Sequence, residues 1–362
     1  MGSRLLCSIL LLVSLAATAP AATLVVDATS GPYYSIPAAV AAAAPGDEIL
    51  VSPGVWDDGV ITIGCDLTLT GQSGSGATFI DGRGAARGIH VTGGATATIT
   101  GFTIRDTYAS DGAGIHVDFA SVATLRGCAL IGNNASYVGG AGYVRHAGSQ
   151  LSFVACAFID NYAPLNAGGV GISLGSRCEF DACYFEGNRS ISMAGAIANF
   201  ANSPVSVTNS FFVRNSGGEC GAIRIYDAPA EIVGNTFHDN NSGEGTLYLN
   251  TSYRVLITNN IFSHDSGFGI GGGADKLYPS CNLYDGNVRG PSQAHALTPT
   301  EVDGPALFCA PEAGIFALCT NSPALAANNV CGLMGASDET CGACGPVAVE
   351  DQAWGTVKSM FR

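Results

Sequence analysis

Phe158-Ile159-Asp160-Asn161 and Phe185-Glu186-Gly187-Asn188 are two copies of a short phrase that recurs through the middle of the chain. Further copies run from Thr103 to Asp106, Leu130 to Asn133, Phe212 to Asn215, Phe237 to Asn240 and Phe262 to Asp265. Successive Asn or Asp positions differ by 27, 28, 27, 27, 25 and 25 residues, so the spacing is a period. A second phrase follows each copy but the last: Ala113-Gly114-Ile115, Ala141-Gly142-Tyr143, Gly168-Gly169-Val170, Gly195-Ala196-Ile197, Gly221-Ala222-Ile223 and Gly245-Thr246-Leu247. Between them lie short apolar alternations such as Ile223, Ile225 and Leu247, Leu249, with no helical period. A unit of this length cannot bury its apolar face alone and has to stack on its neighbours. Strands stacked in this way pair in parallel with their equivalents one coil on, about 4.8 Å away.

The expected fold is therefore all-β, a parallel β-helix of roughly 9–10 coils. Asn tolerates the left-handed backbone of a tight corner, and its amide can bond to the next rung, so a ladder of Asn side chains is expected. The Phe three residues earlier points inward, which stacks Phe158, Phe185, Phe212, Phe237 and Phe262 as an aromatic spine.

The paired phrases resemble the Phe-x-x-Asn and Gly-Gly-Ala-Ile repeats of the polymorphic outer-membrane protein family of autotransporter adhesins. More broadly the chain resembles the right-handed parallel β-helix, or pectin-lyase-like, superfamily, over Thr23 to Asn287. The stretch Pro45-Gly46-Asp47-Glu48-Ile49-Leu50-Val51-Ser52-Pro53-Gly54 is similar to the opening phrase of secreted members. Ser322-Pro323-Ala324-Leu325 with Cys331-Gly332-Leu333-Met334-Gly335-Ala336 is similar to their closing phrase, expected to plug the far end. The resemblance implies a right-handed coil. For function it implies less, because the superfamily holds lyases, hydrolases, esterases, adhesins and phage tailspikes. No C-terminal outer-membrane barrel follows, so self-transport of the adhesin kind is not expected.

Residues 1–22 read as a signal peptide, with Arg4 before the apolar run Leu5 to Leu15 and Ala19-Pro20-Ala21 at its end. That run is too short to span a bilayer, and no later stretch is a transmembrane helix. The expected location is secreted, extracellular or at the cell surface. Residues 23–290 form the β-helix domain, with regular repeats over 101–265; 291–345 form a cysteine-rich C-terminal cap. Residues 346–362 are a tail, either a sorting or docking segment or a helix packing back on the cap. Ser35 to Ala44, with Pro37 in its first turn, reads as a helix that covers the first open coil. Of 13 cysteines, loss of Cys7 with the signal leaves an even number, as suits an oxidising compartment. Cys128, Cys156 and Cys183 each lie five residues before the repeat's Asn and are expected as a buried thiol column. Cys309, Cys319, Cys331, Cys341 and Cys344 are expected to be disulfide-linked, with Cys281 as a further partner.

A formal charge of −14 without any run of Lys or Arg argues against nucleic acid or an anionic membrane as partner, and repels acidic polysaccharide overall. A monomer is expected. Glu186, Arg214 and Asp239 would lie on successive rungs near one edge with His238 beside them, the one acid-and-base constellation the spacing builds. Solvated corner charges are the alternative reading. Arg224, Tyr226, Tyr248, Tyr253 and Arg254 mix rings with guanidinium groups on outward positions, which suits glycan binding. His90, His116 and His146 are isolated in sequence and are expected at surfaces or corners. Cys341-x-x-Cys344 has no partner motif, so no metal site is expected, and no cofactor; Ca²⁺ would enter only for a lyase. The functional expectation is adhesion, glycan binding or envelope structure, with a polysaccharide or cell-surface glycan as partner. The alternative is a polysaccharide lyase or glycoside hydrolase working on an outer face.

Overall fold

A computed structural model describes residues 21–342 of the 362. The expected signal peptide, up to Pro20, and the tail, with Cys344, lie outside the described residues. Each coil contributes three strands that pair in parallel with their copies one coil on. In one central coil they are Val170–Ser173, Arg177–Asp181 and Tyr184–Glu186, which belong to the first, second and third walls respectively. The third wall is a sheet of 11 strands. Along Arg177–Asp181 the buried residues are Cys178 and Phe180 while Arg177, Glu179 and Asp181 face water, the period-two pattern of a wall with one dry side. The expected parallel β-helix is what forms.

The Asn ladder is continuous. Asn133, Asn161, Asn188, Asn215 and Asn240 are buried, and each Nδ2 donates to the side-chain oxygen one coil on, at 2.9–3.1 Å. The same Nδ2 also donates to a spine carbonyl, as Asn188 does to Phe158 at 2.9 Å, so both amide hydrogens are satisfied. The ladder runs into Asp265, whose Oδ1 accepts from Asn240 while its Oδ2 has no partner.

Two details differ from the sequence reading. Thr103 to Asp106 is not the first copy: Ile104 pairs with Leu130, so Thr107 stands in the Asn column and donates its hydroxyl to Asn133 at 2.7 Å. The left-handed residue is also not the Asn but its predecessor. Asp106, Gly132, Asp160, Gly187, Arg214, Asp239 and His264 have φ between 49° and 66°. That twist lets the following amide turn inward while the strand changes wall.

The cysteine column extends further than its cysteines. Cys128, Cys156 and Cys183 are buried free thiols, as expected, and donate to the carbonyls of Ile99, Leu125 and Phe153 at 3.5–3.6 Å. The column continues as Ser210, Asn235, Asn260 and Asn282. The amides of these three Asn donate to Val207, Ile232 and Ile257, the equivalent carbonyls, at 2.8–2.9 Å. Thiol and amide thus fill one structural role. At the corner between first and second walls, buried Ser121, Ser149 and Ser203 accept from the backbone N–H of Gly94, Ala120 and Gly175 at 3.0–3.1 Å.

Inside, Phe158, Phe185, Phe212, Phe237 and Phe262 stack with centroids 4.3–4.9 Å apart, and Tyr284 extends the pile at 5.4 Å. At one end the helix Ile36–Ala42 buries Ile36, Ala39 and Val40, with Ser35 accepting from the Ala38 N–H as N-cap. The start of the cysteine-rich cap does cover the last coil, with Ala294 packed on the core and Val302 paired with Leu283. From Ala306 on it lies along the outside of the third wall, where Ala306, Leu318, Ala324 and Met334 pack on Ile261 and Leu283, and Phe316 packs beside Tyr184 and Val213. Disulfide Cys281–Cys331 ties it to the β-helix, and Cys309–Cys341 closes a loop within it. The first spans 50 residues, a loop whose closure contributes about 4 kcal/mol in the chain-entropy model. Replacing both Cys281 and Cys331 by Ser should lower the melting temperature, and hydrogen exchange should rise first in the cap strands Phe308–Ala310 and Ile315–Leu318. Uniform exchange across coils and cap would contradict this.

Candidate active site on the first wall

Strand pairing places one outward residue per coil in a column along the first wall. It reads His90, His116, Tyr143, Gly171, Ala198, Arg224 and Tyr248. The turn that enters this wall is long, and its strands Tyr108–Asp111 and Asn134–Val138 pair in parallel to raise a flank beside the column. Ionisable side chains gather where flank and column meet.

His116 is the centre of that cluster and only 1% exposed. Its Nε2 is 3.6 Å from the Asp118 carboxylate and its Nδ1 is 3.9 Å from that of Asp111, too far for hydrogen bonds, so neither ring nitrogen has a partner. Burial, then the Arg87 guanidinium, push the His116 imidazole down to about 4, which leaves it neutral at ordinary pH. His90, one coil earlier, has its ring centroid 5.2 Å from that of His116, and its Nε2 is 3.1 Å from Asp118. Burial raises the Asp118 carboxyl, but hydrogen bonds from Thr92 and His90 and the nearby imidazoles outweigh it, and the group stays below its ordinary range. Arg87 donates to the Asp111 carbonyl at 2.8 Å and its carboxylate at 3.2 Å. Arg145 reaches Asp111 at 3.5 Å and Asp118 at 3.6 Å. One coil further, Tyr143 lies edge-on to His116 at 5.4 Å, its hydroxyl 2.6 Å from Ser173 Oγ. Chemically this is an unbonded neutral imidazole between two carboxylates able to stabilise its protonated form, with two guanidinium groups in the same network. Such an arrangement accepts and returns a proton.

Sequence reading passed over this cluster by treating His90 and His116 as isolated. The signal was available: Ile89-His90-Val91 and Ile115-His116-Val117-Asp118 are 26 residues apart, within the range of coil steps. His146 does sit at a corner, with φ 73°.

The expected acid-and-base set is only partly assembled. Arg214 forms an ion pair with Glu186, which also accepts from the Tyr184 hydroxyl at 3.2 Å. His238 shares a column with Glu186 but is buried under the cap, edge-on to Phe316 at 5.3 Å. Burial and then His264 push it down to about 4. Asp239 is exposed at the neighbouring corner. The residues expected to bind glycan divide into two groups. Arg224 is buried, paired with Glu219 and lying over the Tyr226 ring at 4.6 Å, with Tyr248 next in the column. Arg254 lies over Tyr278 at 5.5 Å, pairs with Glu231 at 3.5 Å, and has exposed Tyr253 as its chain neighbour. Among the described residues the group of three metal-ligating side chains that comes together is Cys309, Cys319 and Cys341, within 4.8 Å, and two of these share a disulfide.

Residues 87–262 match the family described as the right handed beta helix region. Among solved structures, pectate lyase Pel9A superposes with a TM-score of 0.60 at 15% identity, covering 85% of this chain and 92% of that one. The A-module of the Azotobacter vinelandii mannuronan C-5 epimerase AlgE6 covers 74% of this chain and 92% of its own at 15% identity, with a TM-score of 0.36. Comparison with curated proteins gives no match. No helix among the described residues is long and apolar enough to cross a membrane. The three parallel walls and their ladders, the family match and the likeness to Pel9A together give this chain the right-handed parallel β-helix fold.

Proposed function

We propose that the protein is an extracellular carbohydrate-active enzyme that works on a polysaccharide chain held against the first wall. The observation that carries this reading is His116, neutral and unbonded between Asp111 and Asp118 and in reach of the field of Arg87 and Arg145. Burying an imidazole without hydrogen bonds costs stability, and sites that retain such groups are disproportionately functional. In this reading His116, whose ring nitrogens are covered as the side chains stand, takes the proton from a substrate hydroxyl or carbon acid once the substrate draws Arg145 away from Asp111 and Asp118. Asp111 and Asp118 hold the resulting imidazolium, and Arg145, the more exposed guanidinium, orients the substrate. The disulfides fit an oxidising compartment.

The test is incubation of the purified protein with plant, algal and bacterial polysaccharides, recording new reducing ends and unsaturated products. His116→Gln should lower turnover by about 10²–10⁴-fold, the usual worth of a general base. With the imidazole pushed down to about 4, the acid limb of the wild-type pH profile should also fall near pH 4. Turnover that survives His116→Gln would refute the assignment. A glycan-binding scaffold without catalysis is the second reading, favoured by exposed Tyr226 and Tyr253 and by Arg254 over the exposed Tyr278 ring. Retention on a polymer that is abolished by Tyr253→Ala, with no product released, would favour it.

A further inference from the structure

Three consecutive coils put an apolar or aromatic side chain at the same corner beside this cluster. Phe119 is 61% exposed and Leu174 53% exposed, and half-buried His146 lies between them with its ring centroid 4.8 Å from that of Phe119. All three have left-handed backbone, with φ of 51°, 73° and 58°. A bulky side chain is disfavoured there, whereas glycine is at home, and the same position holds Gly93 one coil earlier and the small Ala201 one coil later. The fold therefore does not need Phe119 or Leu174: neither side chain reaches the core, and each occupies a position that a smaller residue fills without strain. The corner itself is rigid, because Ser149 and Ser203 accept from the backbone N–H of Ala120 and Gly175, the residues that follow Phe119 and Leu174.

Chain neighbours fix where this ridge points. Phe119 follows Asp118, His146 follows Arg145 and Leu174 follows Ser173, so each ridge residue adjoins a residue of the ionisable cluster or the hydroxyl that holds Tyr143. Successive coils are about 4.8 Å apart, comparable to the length of one sugar unit in an extended chain. The geometry points to Phe119, His146 and Leu174 as a docking rail for a neutral β-linked pyranose polymer, laid along the coil axis with its apolar sugar faces on the ridge. This rests on the reading of the first wall as a carbohydrate site and names the substrate class for it. Neutrality follows from charge. Arg87 and Arg145 are balanced by Asp111 and Asp118 around a neutral His116, and the whole chain carries −14, so no net positive field draws in a polyanion. Stacking on exposed rings needs no charge.

The double variant Phe119→Gly, Leu174→Gly tests the rail without endangering the fold, since glycine relieves the backbone at both positions. Retention of the secreted protein on insoluble cellulose and on insoluble xylan would be measured beside polygalacturonate. The expected result is retention of the parent on a neutral polymer, weakened at least tenfold in the double variant, with an unchanged or raised melting temperature. Equal retention of parent and variant would overturn the rail. So would a parent that binds only polygalacturonate, or no neutral polymer at all. His116→Gln separates this from the catalytic reading, because it should abolish turnover and leave retention intact. Retention that depends on Phe119 and Leu174 with no turnover in any form would keep the rail and discard the enzyme.

Discussion

Asn188→Ala should destabilise the β-helix by about 3–5 kcal/mol, as read from urea unfolding, because it strands several buried groups at about 1–3 kcal/mol each. Asn188 Oδ1 accepts from the backbone N and side-chain Nδ2 of Asn161, at 3.1 and 2.9 Å. Its own Nδ2 donates to Phe158 O and Asn215 Oδ1, both at 2.9 Å. Alanine leaves donors and acceptors on both adjacent coils buried and unpaired, and the site is too enclosed for bulk water to replace the lost partner. Asn188→Asp is the sharper control. It keeps the shape and the accepting oxygen but offers no donor while ionised, so its penalty should shrink as pH falls far enough to protonate it. A loss below about 1 kcal/mol for the alanine variant would mean that the ladder is ornamental beside the Phe spine.

That control already exists in the chain one rung before the ladder's last amide, Asn287, whose Oδ1 accepts from the Asp265 N–H at 3.0 Å. Asp265 stands where every coil before it back to Asn133 places Asn, and its Oδ2 occupies the place from which the others donate. Burial pushes the Asp265 carboxyl up to about 7, against the hydrogen bonds from Asn240 and the nearby Thr246 hydroxyl, which lower it. A protonated Oδ2 supplies the donor that the ladder pattern calls for. Because the folded-state value lies above the unfolded one near 3.8, the folded chain holds a proton that the unfolded chain releases. This contribution is complete below about pH 4 and is lost progressively as pH rises to about 7. Asp265→Asn should therefore stabilise the protein by a few kcal/mol at pH 8, be close to neutral at pH 4, and flatten the stability curve between them. Urea midpoints of parent and variant across that range decide it. A parallel offset at every pH would show that Asp265 does not titrate with folding.

The architecture was legible because a solenoid repeats its interior: one coil step carries Phe185 onto Phe212 and Asn188 onto Asn215, so the period in the sequence is the rise in space. Errors arose where one chemistry stood in for another. Thr107 bonds to Asn133 through a hydroxyl, and the neighbouring Asp106 looked more like the missing Asn. Cys156 and Asn260 share a column that no single residue type marks. The cluster around His116 was harder to see because its members come from different segments of three coils, Arg87 and His90, Asp111 to Asp118, and Tyr143 with Arg145. Only strand pairing, together with the fold of the long turn, brings them together. Burial of His238 depended on where the cap settles, which no repeat dictates.

The left-handed residue before each ladder position separates what the backbone must do from what the surface may display. Asp160, Gly187, Arg214, Asp239 and His264 adopt one conformation with four residue types drawn from acid, base and no side chain at all. A lineage carrying this scaffold can therefore rewrite a line of outward groups one coil at a time, with the Phe pile and the amides beneath untouched. Coil number sets the length of that line, and duplication of a single coil adds one more editable position to it.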